Sequence, residues 1–456
     1  MKVNTAQKFT EKTHEGAQAA RTTNEQQLRR SVAACMLWEA NFYESGEEIA
    51  KRIASLIPLC RPEFVAACAF EARTKMKLRH VPLLLVREMA RLPQHKALVG
   101  RLLADVIQRP DEITEFLAIY WKQGREKVSK QVKLGLAKAF LKFNEYSLAK
   151  YNRDGVVKLR DALFLCHAKP DTPERASLWK RLVDGKLVTP DSWEVALSGG
   201  ADKKETFERL MAEKKLGALA FLRNFRNMKD ARVEKALVSS YASAVDLSRV
   251  LPFRFVAAAK ACPSWEDVCD AMLLRATSQT LKLPGKTVIV VDVSGSMYSA
   301  GNISARSDMT RVEAAGALAA ILRETCEDAR LYATAGDDSS CIHATAEVPP
   351  RRGMALVEMF TRRGFAAALG GGGIFLHQCL SAIKGVEHTA DRIIVLTDEQ
   401  DCDMKLKPET ADAFGVTNYL INVSVQKNGI GYKPQWTHID GWSEAVIDYI
   451  RQFEQQ

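Results

Sequence analysis

The chain has 456 residues, of which 47% are hydrophobic and 26% charged, a composition typical of globular domains rather than disordered or fibrous chains. Its length suggests two or three domains. No apolar run is long enough to span a membrane, and the polar N-terminal segment lacks the apolar centre of a secretory signal. The ten cysteines follow no metal-binding spacing, which favours buried thiols, so we expect a cytoplasmic protein.

Positive charge is concentrated in one segment of the chain. The net charge is +10, and residues 122–160 alone carry 11 basic against 3 acidic side chains, a local excess of +8. A concentrated basic segment is typical of nucleic-acid binding, whereas a Lys-rich helix face exposed to solvent needs no partner. The charge alone leaves both interpretations open.

The first half of the chain has the pattern of short helices. Residues 1–24 are polar and predict a flexible arm. From residue 27 onward, apolar residues recur at helical spacing in segments of about 10 to 16 residues, and several segments have a proline near their start, where proline is tolerated. Closely spaced helices of this kind predict antiparallel pairs stacked into a degenerate, HEAT-like α-solenoid; the alternative is a single irregular bundle.

The segment 128–143 has the clearest amphipathic pattern. At about 100° per residue, its apolar residues fall on one face, which predicts a helix packed on a core. Those residues are Val128, Val132, Leu136, Ala139, Phe140 and Phe143. Its lysines fall on the opposite face, where their like charges repel one another. An anionic partner would reduce this electrostatic repulsion. These candidate binding cations are Lys127, Lys130, Lys133, Lys138 and Lys142.

The segment 150–170, KYNRDGVVKLRDALFLCHAKP, is a second basic stretch. A turn at Asp154-Gly155 precedes a predicted helix over 156–166, and a histidine and a lysine follow that helix. Cationic side chains at a helix C-terminus can simply complement the helix dipole, which is the default interpretation. The candidate binding residues here are Lys150, Arg153, Lys158, Arg160, His167 and Lys169.

The last third of the chain alternates strands with helices. Apolar, β-branched runs predict strands over 287–293, 330–334, 341–346, 392–397 and 416–425, and helical patterns cover 311–325, 377–383 and 443–453. Such alternation predicts a parallel, doubly wound sheet, joined to the helical part by a linker at 281–286.

Polar side chains follow two of these predicted strands. Asp292, Ser294 and Ser296 follow the first strand, and Asp398 follows the strand over 392–397. A glycine run at 370–373 lies between them and can approach the same point closely. Open α/β sheets bind ligands at this edge, and hard cations such as Mg²⁺ take oxygen ligands. The sequence therefore predicts a cation site here; an edge filled only by water is the alternative.

The spacing resembles the metal-ion-dependent adhesion site of von Willebrand factor A domains, which reads Asp-x-Ser-x-Ser, then a Thr, then an Asp. Asp292, Ser294, Ser296 and Asp398 match that pattern. Ile374 stands where the family has its Thr after the glycines. Because a ligating hydroxyl is lost, we expect Mg²⁺ to bind weakly or not at all, and Ile374→Thr to strengthen its binding.

The segment 150–170 resembles the signature of the TROVE domain, the RNA-binding part of the Ro autoantigen family, which reads Lys-Tyr, a turn, a basic helix and Ser-His-x-Lys-Pro. Two later segments, 218–228 and 251–254, resemble the family's Leu-Arg-Asn-Leu-x-x-Met and Pro-Phe-His. A von Willebrand A domain follows TROVE in that family. The resemblance, to the bacterial type, thus implies a TROVE domain over 25–280 and a von Willebrand A-like domain over 281–456, without the insertions of larger members.

The resemblance implies an all-α, HEAT-like solenoid closed into a ring, followed by the α/β domain. It also implies a non-catalytic, monomeric RNA-binding protein of RNA quality control or stress-related RNA processing. A small structured Y-like RNA would bind the outer basic surface, and single-stranded 3′ ends of defective RNAs would enter the ring. A 3′-to-5′ exoribonuclease would be a further partner.

Two other classes of function compete with this one. A protein-adhesion module would use a metal at the strand edge to bind a partner carboxylate, but adhesion alone does not need the basic segment. An enzyme is disfavoured because the chain has only 8 histidines and lacks a catalytic triad order, a phosphate-binding loop and an HExxH helix.

Overall fold

The structure, a computed structural model, describes residues 11–12, 18–19, 23–34, 46–76, 78–122, 124–152, 155–248, 250, 252–278, 281–299, 302–304, 307–403, 413–423 and 436–440, with four further residues near the C-terminus. Most of the predicted arm over 1–24 lies outside these residues; within it, β1 (Glu11–Lys12) pairs antiparallel with β2 (Gln18–Ala19). No helix among the described residues is long and apolar enough to cross a membrane.

Contacts divide the chain into two compact units. The helical unit consists of residues 24–36 and 47–196, and the mixed unit contains residues 197–456 together with two N-terminal segments. Residue 281, where the sequence predicts a domain boundary, lies between the last helix of the helical series and the first strand of the main sheet. That a domain begins there stays a prediction.

Short helices with tight connections build the helical unit. Proline is the first residue of three of them, where its missing N–H costs nothing and its fixed φ suits the helix. The helices are α1 (Asn24–Ala34), α2 (Gly46–Leu56), α3 (Pro62–Thr74), α4 (His80–Arg91), α5 (Lys96–Val106), α6 (Pro110–Tyr120), α7 (Lys130–Phe140), α8 (Glu145–Tyr151), α9 (Leu159–Leu165), α10 (Pro173–Val183) and α11 (Trp193–Ser198), the last of which crosses the border between the units.

Most helix pairs in contact within this unit are one or two places apart in sequence, and α6 also contacts α9. Helix α3 contacts α4 and α5, α4 contacts α6, and α5 contacts α7. The apolar faces meet in a core that includes Leu85, Leu103, Phe116, Leu136 and Phe140, all fully buried. Stacking by near neighbours agrees with the solenoid pattern that the sequence predicts.

A buried ion pair crosses this stack. The guanidinium of Arg73, on α3, lies 2.7 Å from a carboxylate oxygen of Glu112, on α6, and the two side chains are 9% and 0% exposed. Arg73 also donates to the carbonyl of Val106 at 2.9 Å. The second oxygen of Glu112 accepts the backbone N–H groups of Gln108 and Arg109 at 2.7 and 3.1 Å. The pair therefore fastens α3 to the end of α5 and to the start of α6.

The mixed unit begins with six further helices and continues with an α/β sheet. The six are α12 (Lys203–Ala212), α13 (Ala218–Arg223), α14 (Phe225–Asp230), α15 (Lys235–Ala244), α16 (Phe253–Ala261) and α17 (Glu266–Ser278). In the α/β part, the helices are α18 (Gly295–Ser299), α19 (Arg311–Thr325), α20 (Gly353–Thr361), α21 (Arg363–Ala368) and α22 (Leu376–Glu387). The strands are β3 (Leu283–Asp292), β4 (Asn302–Ser304), β5 (Ser307–Thr310), β6 (Cys326–Asp337), β7 (Ile342–Glu347), β8 (Ala390–Thr397), β9 (Gly415–Asn422) and β10 (Trp436–Asp440).

The main sheet has six strands in the order β10-β9-β8-β3-β6-β7. Five are parallel, as predicted, but the edge strand β7 pairs antiparallel with β6. The reason is the short connection over 338–341, which allows a hairpin and is far too short for a parallel crossover. The predicted helix over 443–453 lies largely outside the described residues.

Helix α19 is the central helix of the mixed unit. It packs against β3 and β6 and also against α16, α17 and α20. Its sequence, RVEAAGALAAILRET, is correspondingly apolar on nearly every side, and small residues let its neighbours approach closely. Contacts on both sides therefore hold this helix in the interior of the mixed unit.

Candidate functional site

Helix α7 presents the predicted lysine face. All six predicted apolar positions, from Val128 to Phe143, are buried, and the helix begins after Ser129, whose hydroxyl accepts the N–H of Val132. On the opposite face, three lysines are exposed and Lys133 is half-buried. The exposed three are Lys127, Lys130 and Lys138.

Lys142 differs from the other lysines in the predicted set. The residue as a whole is exposed, but its ammonium group donates to the backbone carbonyls of Ala104 and Ile107 at the C-terminal end of α5, and these two bonds are partly buried. Loss of hydration on burial lowers the pKa of Lys142 below its usual value. A lysine that bonds the last carbonyls of a helix stabilises that helix end, so this ammonium group is already engaged within the protein.

The structure spreads the second predicted set over α8, α9 and the turn that follows. Lys150, on α8, is half-buried and lies 3.3 Å from Glu194, while Lys158 is half-buried immediately before α9. Arg160 and Lys169 are exposed. Arg153 lies outside the described residues. Helix α9 packs against α7, which brings the two basic stretches onto neighbouring helices.

The backbone of His167 forms part of the C-terminal cap of helix α9. Its φ is +53°, a left-handed conformation, and its N–H donates to the carbonyl of Phe164 at 3.1 Å. The N–H of Ala168 donates to the carbonyl of Leu163 at 3.3 Å, which completes a Schellman motif. The side chain of His167 is exposed. Capping therefore uses the backbone and leaves the imidazole ring available to a ligand.

Phe164 is an exposed aromatic residue that the sequence reasoning missed. Its side chain is 62% exposed, on α9 between Arg160 and His167, one turn away on either side. The signal was present in the sequence, because the buried positions of this helix are Leu159, Ala162 and Leu163, and position 164 falls outside that face. An exposed ring among cations is suited to stacking on a nucleic-acid base.

The second candidate site lies at the edge of the sheet, where β3 and β8 end. The two strands are parallel neighbours, so the residues at their carboxyl ends, Asp292 and Asp398, lie at the same edge. The chain leaves β3 toward β6 on one side, whereas β8 is followed by β9 on the other. This is a topological switch point, where open α/β sheets bind ligands.

Asp292 is fully buried and bonded at both oxygens. One accepts the N–H of Ser294 at 2.8 Å, and the other accepts the hydroxyl of Thr397 at 2.6 Å. The hydroxyls of Ser294 and Ser296 lie 3.2 Å apart and bond to each other. Thr397, which the sequence reasoning did not single out, is the last residue of β8 and directly precedes Asp398.

The glycine run closes over this edge, as predicted. The N–H of Gly295 donates to the carbonyl of Gly372 at 2.8 Å, and the N–H of Gly372 donates to the carbonyl of Gly336 at 2.9 Å. Gly370 has a φ of +88°, and a Cβ atom there would lie 2.4 Å from the Gly336 carbonyl oxygen. Only glycine allows so close an approach of backbone to backbone.

Ile374 packs into the apolar core instead of facing the edge. It is fully buried among residues that include Val288, Val290 and Leu376.

Asp398 has a cationic partner, because the guanidinium of Arg311 donates to its Oδ2 atom at 3.0 Å. Within the described ranges, no cluster of three or more His, Cys, Asp or Glu side chains could hold a metal ion.

Burial, together with the nearby charge of Asp398, raises the pKa of Asp292 to about 7. In the unfolded chain this carboxyl has its usual pKa of about 4, so between about pH 4 and pH 7 the native state binds the extra proton. Stability contributed by this group is therefore lost as the pH rises through that window. We expect the calorimetric midpoint of the wild type to fall between pH 5 and pH 8, and Asp292→Asn to reduce that fall.

A matched variant controls for the charge change. The side chain of Asp328, in the same unit, is half-exposed and pairs with the exposed Arg330, so Asp328→Asn should largely keep the pH dependence of the wild type. Equal falls for Asp292→Asn and the wild type would show that Asp292 does not titrate in this window.

Comparisons with known proteins agree with parts of this description. A family model of the TROVE domain matches residues 173–297, from the start of α10 into α18. The crystal structure of the Deinococcus radiodurans RO (RSR) protein is similar, with a TM-score of 0.57 and 18% sequence identity, over 94% of this chain and 99% of that chain. No curated protein matches the sequence.

The structural match confirms the predicted fold class, a helical part followed by an α/β sheet. The TROVE match begins just after the basic segment at 127–169, so the predicted binding residues of that segment lie outside the matched part. Residues 173–297 therefore match the TROVE domain model, and the chain has the fold of the Deinococcus radiodurans RO (RSR) protein.

Proposed function

We propose that this chain is a non-catalytic RNA-binding protein that uses the basic surface of α7 to α9. The observation that carries the proposal is a set of exposed cations on two packed helices, beside an exposed aromatic ring. The TROVE match supports it, because the resemblance implies RNA binding for that domain. Lysine and arginine bind phosphates without reading bases, while exposed rings stack on unpaired bases.

The finer proposal concerns which RNA is bound. A small structured, Y-like RNA would be held on this outer surface by its shape and by its backbone phosphates. Single-stranded 3′ ends of defective RNAs would enter a ring cavity, and a 3′-to-5′ exoribonuclease would act on them in RNA quality control or stress-related RNA processing. The family resemblance supports each of these steps. A monomeric state and a cytoplasmic location complete the proposal, and the scattered cysteines support the location.

Purification of the full chain tests the proposal directly. We expect an absorbance ratio at 260 to 280 nm above that of pure protein, and sequencing of the co-purified RNA should return one dominant small structured species. Protein that carries no RNA, and that fails to bind a panel of structured RNAs at low salt, would refute the proposal.

Two ring-bearing residues should contribute to RNA binding. The imidazole of His167 should matter more for a structured RNA than for a plain single strand, and the ring of Phe164 should contribute wherever unpaired bases can stack on it. His167→Asn removes the imidazole while keeping a residue that tolerates the left-handed backbone. Phe164→Ala removes the exposed ring. Because one base stacked on an aromatic side chain contributes about 1–3 kcal/mol, Phe164→Ala should weaken the binding of an RNA with unpaired loop bases by at least about fivefold. Filter binding of that RNA and of an oligonucleotide measures both effects.

Val156 provides the control for these variants. It is 99% exposed, apolar and close to the start of α9, but it has no ring to stack. Val156→Ala should therefore leave both affinities unchanged. Equal losses for the two ligands with His167→Asn would mean that this residue serves the helix end alone.

A further inference from the structure

We propose that the guanidinium of Arg311 takes the place of a metal ion at the strand edge, so that this edge works without a divalent cation. The resemblance to an adhesion site implies Mg²⁺ held by Asp292, Ser294, Ser296 and Asp398. The contacts that these four residues make within the protein are not compatible with such an ion, for three separate reasons.

The first reason is the position of Arg311 itself. It is the first residue of α19, and a reciprocal cap fixes the start of that helix. The hydroxyl of Thr310 accepts the N–H of Glu313 at 3.3 Å, and the carboxylate of Glu313 accepts the N–H of Thr310 at 2.6 Å. Lys260, on α16, adds an ion pair to Glu313 at 2.6 Å. The helix start is therefore held in place with Arg311 directed toward the strand edge.

The second reason is the charge balance around Asp398. Its side chain is 0% exposed and that of Arg311 is 1% exposed, and their 3.0 Å contact is a charge-assisted hydrogen bond. A buried carboxylate requires a compensating cation, and the guanidinium supplies one that stays charged and cannot dissociate from the chain. A divalent ion placed at Asp398 would meet this like charge at short range.

The third reason is the state of the remaining oxygen donors. Both oxygens of Asp292 accept hydrogen bonds, from Ser294 and Thr397, and the hydroxyls of Ser294 and Ser296 bond to each other. Ile374 contributes an apolar side chain to the core where a ligating hydroxyl would be needed. Each of the four matched residues thus already has a partner within the protein.

This substitution of an arginine for a metal has a consequence for docking. An adhesion site that binds a partner carboxylate through its metal would be switched by divalent ions and disabled by chelators. The buried ion pair instead holds α19 to the end of β8 at every metal concentration. Any contact made through this edge is therefore insensitive to chelators.

Titration of Mn²⁺ and Mg²⁺ into four proteins, followed by calorimetry, tests the inference. The four are the wild type, Ile374→Thr, Arg311→Met, and the double variant. We expect no stoichiometric binding by the wild type. In contrast to the expectation from the sequence alone, we also expect none by Ile374→Thr, because both proteins retain the guanidinium beside Asp398. We expect one equivalent to bind to the double variant, at least about a hundredfold more tightly than to the wild type, because a like charge has been removed at close range.

Arg323→Met is the matched control, since it makes the same substitution on the same helix and leaves the Arg311–Asp398 pair in place. It should bind no metal. One equivalent of Mn²⁺ bound by the wild type or by Ile374→Thr would overturn the inference, whether or not the Arg311 variants fold. So would folded Arg311→Met and double variants that both bind none. Rescue of an unstable Arg311→Met protein by Mn²⁺, seen as a rise in thermal midpoint, would support it.

Discussion

Glu112→Ala is expected to destabilise the helical unit by about 3–5 kcal/mol, the cost of leaving a buried charge without its partner. The variant leaves Arg73 with a charged side chain that is only 9% exposed and that keeps its bond to the Val106 carbonyl. It also removes the acceptor for two backbone N–H groups at the start of α6. Urea unfolding followed by circular dichroism measures the loss.

The control for this prediction is an exposed ion pair in the same unit. Arg101 is 92% exposed and lies 3.8 Å from Asp105, one helical turn away on α5. Arg101→Ala should change the free energy of unfolding by no more than about 0.5 kcal/mol. A second variant, Arg73→Met with Glu112→Leu, removes both charges and should recover much of the lost stability. A small effect of Glu112→Ala would show that the site relaxes or admits water.

In the helical part, burial was predictable for side chains whose environment depends only on the helix face on which they lie. The apolar and charged positions of 128–143 separate cleanly in the sequence, and all six apolar positions are buried in the structure. Lys142 has the same chemistry and periodicity as its neighbours. Its different role depends on the carbonyls of Ala104 and Ile107, 38 and 35 residues earlier, and helix periodicity carries no information about such a partner.

At the strand edge, too, the sequence does not show which distant residue a side chain contacts. Asp292 and Asp398 were recognisable because each follows a short apolar run whose end is visible in the sequence. The glycine run was recognisable because glycine allows two backbone segments to approach each other closely. Arg311 was not recognisable, because it is the first residue of a largely buried helix and its partner lies 87 residues away. The antiparallel β7 was missed although the short connection before it was visible in the sequence.

Removal of three lysines on α7 should weaken RNA binding without disturbing the fold. In the triple variant Lys130→Ala, Lys133→Ala and Lys138→Ala, the altered side chains lie on the face opposite the core. If about five phosphates are neutralised by the wild type, the logarithm of the binding constant should fall against that of salt with a slope of roughly −3.5. Each lost contact should flatten the slope by about 0.7, so the triple variant should show roughly −1.4.

The same counting gives the loss of affinity. At about 0.15 M salt, three lost phosphate contacts should weaken binding by roughly 50-fold, equally for all sequences, because phosphate contacts carry no base information. Two lysines serve as controls. Lys384 is exposed on α22 of the mixed unit, so Lys384→Ala should leave slope and affinity unchanged.

Lys142→Met separates binding from folding. Since the ammonium group of Lys142 bonds the end of α5, this change should lower the thermal midpoint and leave the salt slope near that of the wild type. Filter binding of a single-stranded RNA, to which the slope of about −0.7 per phosphate applies, over a salt series, with thermal unfolding of each variant, measures all of these effects. A triple variant that keeps the wild-type slope would mean that this lysine face is only hydrated and that RNA binds the chain elsewhere.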